Sequence, residues 1–512
     1  MTFIALLRRD CAASLLSCLF VLTPHAAAAP APACEYRQLV NLPIRYTGPS
    51  LSPTIEGRID GRPAEMLVDT GAWASMLTRT GAARSDLQLE RSGLARGIGG
   101  YARMYSARVR EFQAGPAVVR NNKVRVVGDM GFSPSFDAIL SAQFLLQTDL
   151  EFSLATKELK FFQPSNCKNA MLAYWDPDAV EIPFDTRFSH HANPYFSVKV
   201  NGKEITAMID SGAATSALTR EGAERAGIAL DGEGVTRLQD VVGIGSKSVA
   251  RWNVKPALVE IGRIAIRDAN IGVLDADGLD VHLLLGADFL RAHRVLFAMS
   301  QQKLYISYLG GHPFGQRSGI PAWLQQEADA GNGDAQLMLA SAYSRGQGAP
   351  RDAAQARTLI DAAASGGNPR AILLVGQRLQ YEKNYLDAIP KLRAALDRLP
   401  SERYGALWLY AARMHAGQPD VAQRELQATF ARDDEDDWPR PIADLYLGKL
   451  DEDKLLALAR KDERQARQRA CQAQLFIAER HRIAGDAERA GAVMARAIEC
   501  KATPGSPAQD PT

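Results

Sequence analysis

MLVDTGAWASML, residues 66–77, decides how this chain is read, and AMIDSGAATSAL, residues 207–218, repeats the message. Met66, Leu67 and Val68 have the composition of a buried strand, yet the run closes on Asp69 and Gly71. A carboxylate that ends an apolar strand must be solvated, paired or used. A single Asp-Thr-Gly reads as a turn after a strand. Two in matching contexts, Asp69-Thr70-Gly71-Ala72 and Asp210-Ser211-Gly212-Ala213, read as a pair.

The contexts match well beyond the motif. Ser75, Leu77, Thr78 and Arg79 recur as Ser216, Leu218, Thr219 and Arg220. Gly97-Ile98-Gly99-Gly100 returns as Gly243-Ile244-Gly245-Ser246, and Ile139-Leu140-Ser141 as Leu284-Leu285-Gly286. Phe144-Leu145 then answers Phe289-Leu290, LEF (150–152) answers VLF (295–297), and LKF (159–161) answers LYI (304–306). Landmarks in one order at a nearly constant offset mark the duplication of one small β-lobe. Short runs such as SVKV, HLLL and KLYI between Gly, Asn and Pro turns make residues 35–310 strand-rich. The lobes are placed at 35–167 and 175–310.

From Pro321 the texture becomes alanine- and leucine-rich with apolar residues at i, i+3 and i+4, so an all-α region is expected over 322–502. GGHPFGQRSGIP, residues 310–321, is the boundary. AGNGDAQLMLASAYSRGQGAPRD, with its small residues at regular spacing, resembles a Sel1-type repeat. NYLDAIPKLRAALDRLP and GDAERAGAVMARAIEC are similar to second helices of tetratricopeptide units, and DDEDDWPRP is an acidic connector between them. KATPGSPAQDPT is expected to be a disordered tail from residue 503.

Each β-lobe resembles a retropepsin, the retroviral-type aspartic protease, over about residues 40–310. VDTGA, IDSGA, the glycine turns GIGGY and GIGS, and LLG carry the resemblance. It implies an all-β, two-lobed acid-protease fold in which Asp69 and Asp210 form a catalytic dyad within one chain. Two close carboxylates cannot both ionise cheaply, so they share a proton; one acts as base on a water while the other acts as acid. Thr70 and Ser211 have hydroxyls to fix the loops across the interface, and Gly71 and Gly212 permit close backbone approach. Gly97, Ile98, Gly99, Gly100 and Tyr101, with Gly243, Ile244 and Gly245, would form hairpin tips that close over a peptide. No cofactor and no metal is needed.

Three residues depart from the pattern. Ser141 stands where the family has glycine, Gln143 stands where the second lobe has Asp288, and Trp73 is bulkier than Ala214. They support an alternative, a catalytically inactive peptide-binding protein on the same scaffold. Another alternative pairs each lobe with the same lobe of a second chain. Both motifs continue with alanine, Ala72 and Ala213, where acid-acting relatives often have a serine that donates to the carboxylate. Losing that donor raises the dyad's pKa values and moves activity towards neutral pH.

Arg8 and Arg9, an apolar run and HAAAAP form a signal peptide over residues 1–28, so the chain is expected to be exported, periplasmic or secreted. Cys18 sits in a sequence with the local look of a lipoprotein box, but the apolar run continues past it. Four cysteines remain, and Cys34 with Cys167, and Cys471 with Cys500, are the expected disulfides. With 60 basic and 58 acidic residues interspersed, the chain has no field for nucleic acid. No segment after the signal peptide is apolar for the roughly 20 residues a membrane span needs. There is no H-E-x-x-H, C-x-x-C or G-x-S-x-G; the adjacent His190 and His191 read as a solvated loop. The expected partners are a protein or peptide substrate and a protein partner on the helical repeats.

Overall fold

The computed structural model of the chain describes residues 33–128, 130, 134–184, 192–241, 243–245, 248–276, 279–314, 319–431, 437–461 and 466–502. The signal peptide, the tail, His190 and His191 lie outside the described residues. A β-rich region over about 35–310 is followed by a region in which every described element is a helix, as expected from the change in texture.

Local sequence sets the first hairpin of each lobe. Strands Ser52–Ile59 and Arg62–Asp69 turn at Asp60-Gly61, both with positive φ (50° and 81°). Strands Phe196–Val200 and Lys203–Ile209 turn at Asn201-Gly202 (51° and 74°). Asp-Gly and Asn-Gly suit the two-residue turn whose twist matches paired strands. Each second strand then delivers the motif aspartate. Arg62–Asp69 runs parallel to Ala138–Ser141, and the short strand Met76–Thr78 returns antiparallel to that same neighbour. Lys203–Ile209, Leu283–Leu285 and Ala217–Thr219 repeat the arrangement. Each aspartate therefore ends up in a tight loop held between strands on both sides.

The two lobes are sewn together by a six-stranded antiparallel sheet, ordered Glu35–Pro43, Glu158–Ser165, Asp149–Ser153, His293–Ala298, Lys303–Tyr308, Val180–Pro183. Its centre is the pairing of LEF with VLF: Leu150 opposite Phe297, Glu151 opposite Leu296, Phe152 opposite Val295. Equivalent strands of the duplicated lobes thus face each other across a pseudo-two-fold axis.

In the helical region, Asn332, Asp352 and Asn368 each accept backbone N–H groups at the start of Gly333–Arg345, Ala353–Ser365 and Pro369–Tyr381. Gly346 ends the first of these in the left-handed conformation (φ 67°). Leu324 and Ala328 of the helix Ala322–Asp329, with Ala335 and Leu339 of Gly333–Arg345, share one apolar core with Tyr46, Leu51 and the lobes. The helices are therefore packed into the β-region. Polar contacts extend the junction: Gly48 N donates to Asp334 at 2.6 Å, and the Arg291 guanidinium lies 3.9 Å from the Trp323 ring centroid. Asp437 pairs with Arg103 at 2.6 Å and with Arg79 at 3.6 Å. Among the described residues no helix is long and apolar enough to cross a membrane.

Candidate active site

Asp69 and Asp210 come together at the pseudo-two-fold axis. Asp69 Oδ1 accepts from Gly71 N and Ala72 N, both at 2.9 Å; Asp210 Oδ1 accepts from Gly212 N at 3.0 Å and Ala213 N at 3.1 Å. The two carboxyls are close enough to bear on each other electrostatically. Glycine is required at both motif positions. A Cβ on Gly71 would lie 2.4 Å from the Asp210 carboxyl carbon, and one on Gly212 would lie 2.4 Å from that of Asp69. The loops interlock below: Thr70 N donates to Ser211 Oγ and Ser211 N to Thr70 Oγ1, both at 3.0 Å. The hydroxyls in turn donate across the axis, Thr70 Oγ1 to Ile209 O and Ser211 Oγ to Val68 O, both at 2.7 Å.

Burial, and then the neighbouring Asp210 carboxyl, push the Asp69 carboxyl upward against the pull of the Gly71 and Ala72 amides. Burial pushes Asp210 upward too, against the amides of Ala213 and Gly212. The environment therefore favours one proton held between two acids.

The first lobe's departures turn out to be accommodated. In the second lobe Ser216 Oγ accepts from Gly286 N and donates to Asp288 Oδ1 at 2.6 Å. In the first, Ser75 Oγ accepts from Ser141 N at 3.0 Å and pairs with Ser141 Oγ at 3.1 Å. The Ser141 hydroxyl thus takes the place of the Asp288 carboxylate, and Gln143 is left exposed. A Cβ on Gly286 would sit 2.8 Å from Ala213 O. The first lobe makes room for Ser141: the Ala142 N to Ala72 O bond is 3.2 Å, against 2.8 Å for Ala287 N to Ala213 O. Trp73 is partly exposed, with the Arg125 guanidinium 5.0 Å from its ring centroid.

Asn193 was missed by sequence reasoning, which stopped at the histidines before it. It is buried, and its Nδ2 donates at 2.7 Å to both Thr70 O and Ile209 O, one carbonyl from each lobe. No sequence signal marks it, because the aligned residue of the first lobe is Ser52.

The glycine turns are hairpin tips. Glu90–Gly97 and Gly100–Ala114 close with Gly97 opposite Gly100, and Thr236–Val241 pairs with Val249–Val254. The tips meet: Gly99 N donates to Ile244 O at 2.9 Å. A Cβ on Gly97 would lie 2.3 Å from that same oxygen. Each tip isoleucine packs into the opposite lobe. Ile244 joins Leu67, Met76, Met104, Ile139 and Ala72, while Ile98 joins Ala217, Val249 and Leu274. Since Ala72 follows the Asp69 loop, the tips roof the dyad. The Tyr101 ring is exposed.

Cys34 and Cys167 form a disulfide with Cα atoms 4.5 Å apart. Cys471 is also disulfide-bonded, whereas the Cys500 side chain lies outside the described residues. Among the described residues no cluster of His, Cys, Asp or Glu could hold a metal ion.

Comparison with known families matches both lobes. The family model for aspartyl protease matches residues 55–144, and that for gag-polyprotein putative aspartyl protease matches residues 196–292. Each match contains one motif aspartate and one glycine turn. No curated protein matches the chain. Each lobe of the β-region is therefore similar to an aspartyl-protease family.

Proposed function

We propose that the chain is an exported aspartic endopeptidase that hydrolyses internal bonds of an extended polypeptide. The observation that carries this reading is the pair of half-buried carboxyls of Asp69 and Asp210, each held by two backbone amides, under two touching hairpin tips. A water between the carboxyls loses its proton to the ionised one as it attacks the peptide carbonyl. The protonated partner donates to the developing oxyanion, and its proton later passes to the leaving amine. The backbone amides on each Oδ1 hold the carboxyls in place, so little reorganisation accompanies the reaction. Opening of the tips admits the peptide, and closing excludes bulk water.

The helical region adds a separate surface for a protein substrate or partner, joined to the protease through a shared core. The signal-peptide pattern and the Cys34–Cys167 disulfide support an oxidising compartment outside the cytoplasm.

The test is cleavage of a diverse peptide library between pH 4 and 8 by the purified chain, beside Asp69→Asn and Asp210→Asn. Cleavage by the parent and loss of at least about a thousandfold in each variant is the expected outcome. If peptides bind but none is cut at any pH, the scaffold is a peptide-binding protein and the catalytic reading fails.

A further inference from the structure

We propose that Arg251 and Thr215 form an anionic side-chain subsite on the second lobe, which takes an aspartate or glutamate of the substrate peptide. The proposal rests on the peptide-cleft reading above and adds a substrate class to it.

The argument begins with register. In the first lobe Val126 lies between Leu77 and Tyr105; in the second, Val273 lies between Leu218 and Trp252. Tyr105 and Trp252 are therefore equivalent, and so are the residues before them, Met104 and Arg251. A conserved detail of packing supports the alignment: Arg79 lies 5.4 Å from the Tyr105 ring centroid, and Arg220 lies 5.0 Å from that of Trp252. Likewise Thr215 follows Asp210 by the same interval as Ala74 follows Asp69. In the first lobe these positions are a dry wall, where Ala74 and Met104 pack with Leu67, Met76 and Ile139. In the second lobe the same positions carry a hydroxyl and a guanidinium.

Arg251 faces the cleft side of its strand. Two residues earlier Val249 packs with Ala217 and with Ile98 of the opposite tip, and alternation places Arg251 on that same face. Arg251 Nη2 donates to the exposed Thr215 Oγ1 at 3.1 Å. Gly272 leaves space for it, since a Cβ there would lie 3.1 Å from Arg251 Nε. Among the described residues Arg251 makes no ion pair. Asp288, whose charge bears on it, is itself engaged by Ser216 Oγ, Ser216 N and Phe289 N at 2.6–2.8 Å. A partly buried guanidinium without a carboxylate partner has unused donors in a fixed fork, the geometry that recognises a carboxylate. Because the equivalent wall of the first lobe is apolar, such a carboxylate also orients the peptide along the cleft.

The test uses the full chain bearing Asp210→Asn and fluorescent peptides that differ only by Glu or Gln, scanned through the positions flanking the central bond. Anisotropy should show one position at which Glu binds about tenfold more tightly than Gln. Arg251→Gln should bring that ratio close to one, and Arg251→Glu should make Lys the preferred residue there. Arg237→Gln, which removes a cation stacked on the opposite side at Trp252, should leave the ratio intact. Equal binding of Glu and Gln peptides at every position, no binding of any peptide, or a preference that survives Arg251→Gln overturns the proposal. The same library given to the active chain separates the two claims. Charge-selective binding without cleavage refutes the peptidase reading alone, and cleavage without charge selection refutes the subsite alone.

Discussion

Asn193 is where the two halves stop being copies. Its Nδ2 satisfies a carbonyl from each lobe directly beneath the Thr70–Ser211 interlock, while its buried Oδ1 has no partner among the described residues. Asn193→Ala should take one donor from each carbonyl, leaving Ile209 O with the Thr70 hydroxyl and Thr70 O without its bond to Nδ2, at a cost of about 1–3 kcal/mol. It should lower kcat more than it raises KM and should displace the pH profile, because it loosens the support of the dyad without touching the peptide. A fall in thermal stability with unchanged kcat and pH profile would reduce Asn193 to a structural tie. The alanines after the motifs give a second prediction. Both carboxyls are raised by burial. A hydroxyl donor from Ala72→Ser or Ala213→Ser stabilises the ionised form, so the acidic limb of the rate profile should move down by about one pH unit. An immobile limb would mean that burial alone governs the pair. The aspartates, Thr70 and Ser211 were legible because duplication writes them twice. Ser141 read as damage, since its compensation depends on Ser75, which only the fold brings beside it. Asn193 is written once and had no periodicity to reveal it.

At the level of elements, the hairpin tips have little tolerance. Gly97 faces the Ile244 carbonyl with no room for a methyl group. Gly97→Ala should therefore hold the tips apart, lowering kcat/KM by about ten- to a hundredfold while the melting temperature stays within a few degrees. Equal activity in the variant would show that the tips need not meet for turnover. The Asp60-Gly61 and Asn201-Gly202 turns and the helix caps at Asn332 and Asn368 were set by local sequence. The six-stranded sheet was not. LEF and VLF could be aligned as copies, but their pairing with each other follows from the way two lobes close, which strand composition does not encode.

Across the whole molecule, the seam between the lobes has its own sensitivity to acid. His293 opens a central strand of the shared sheet, fully buried, with its ring stacked 4.0 Å from Phe289 and Nδ1 bonded to Phe289 O. Burial pulls its pKa down from 6.5 to about 4. Between those values the unfolded chain takes up a proton that the folded chain refuses, so stability falls as pH drops through that window, by up to about 3 kcal/mol. His293→Leu should flatten the dependence between pH 6.5 and 4 in denaturant titrations; an undiminished slope would place the acid sensitivity elsewhere. The junction with the helices was legible only as a change of texture. Its depth, with Leu324 and Leu339 inside the core of the lobes, depends on contacts distant in sequence. The tandem arrangement also has a consequence for heredity. In a protease assembled from two identical chains, every substitution appears on both sides of the axis at once. Here Ser141 corresponds to Gly286, Met104 corresponds to Arg251, and Asn193 has no twin. A single chain that carries both lobes can accept each change on one side alone, leaving the other side as it was.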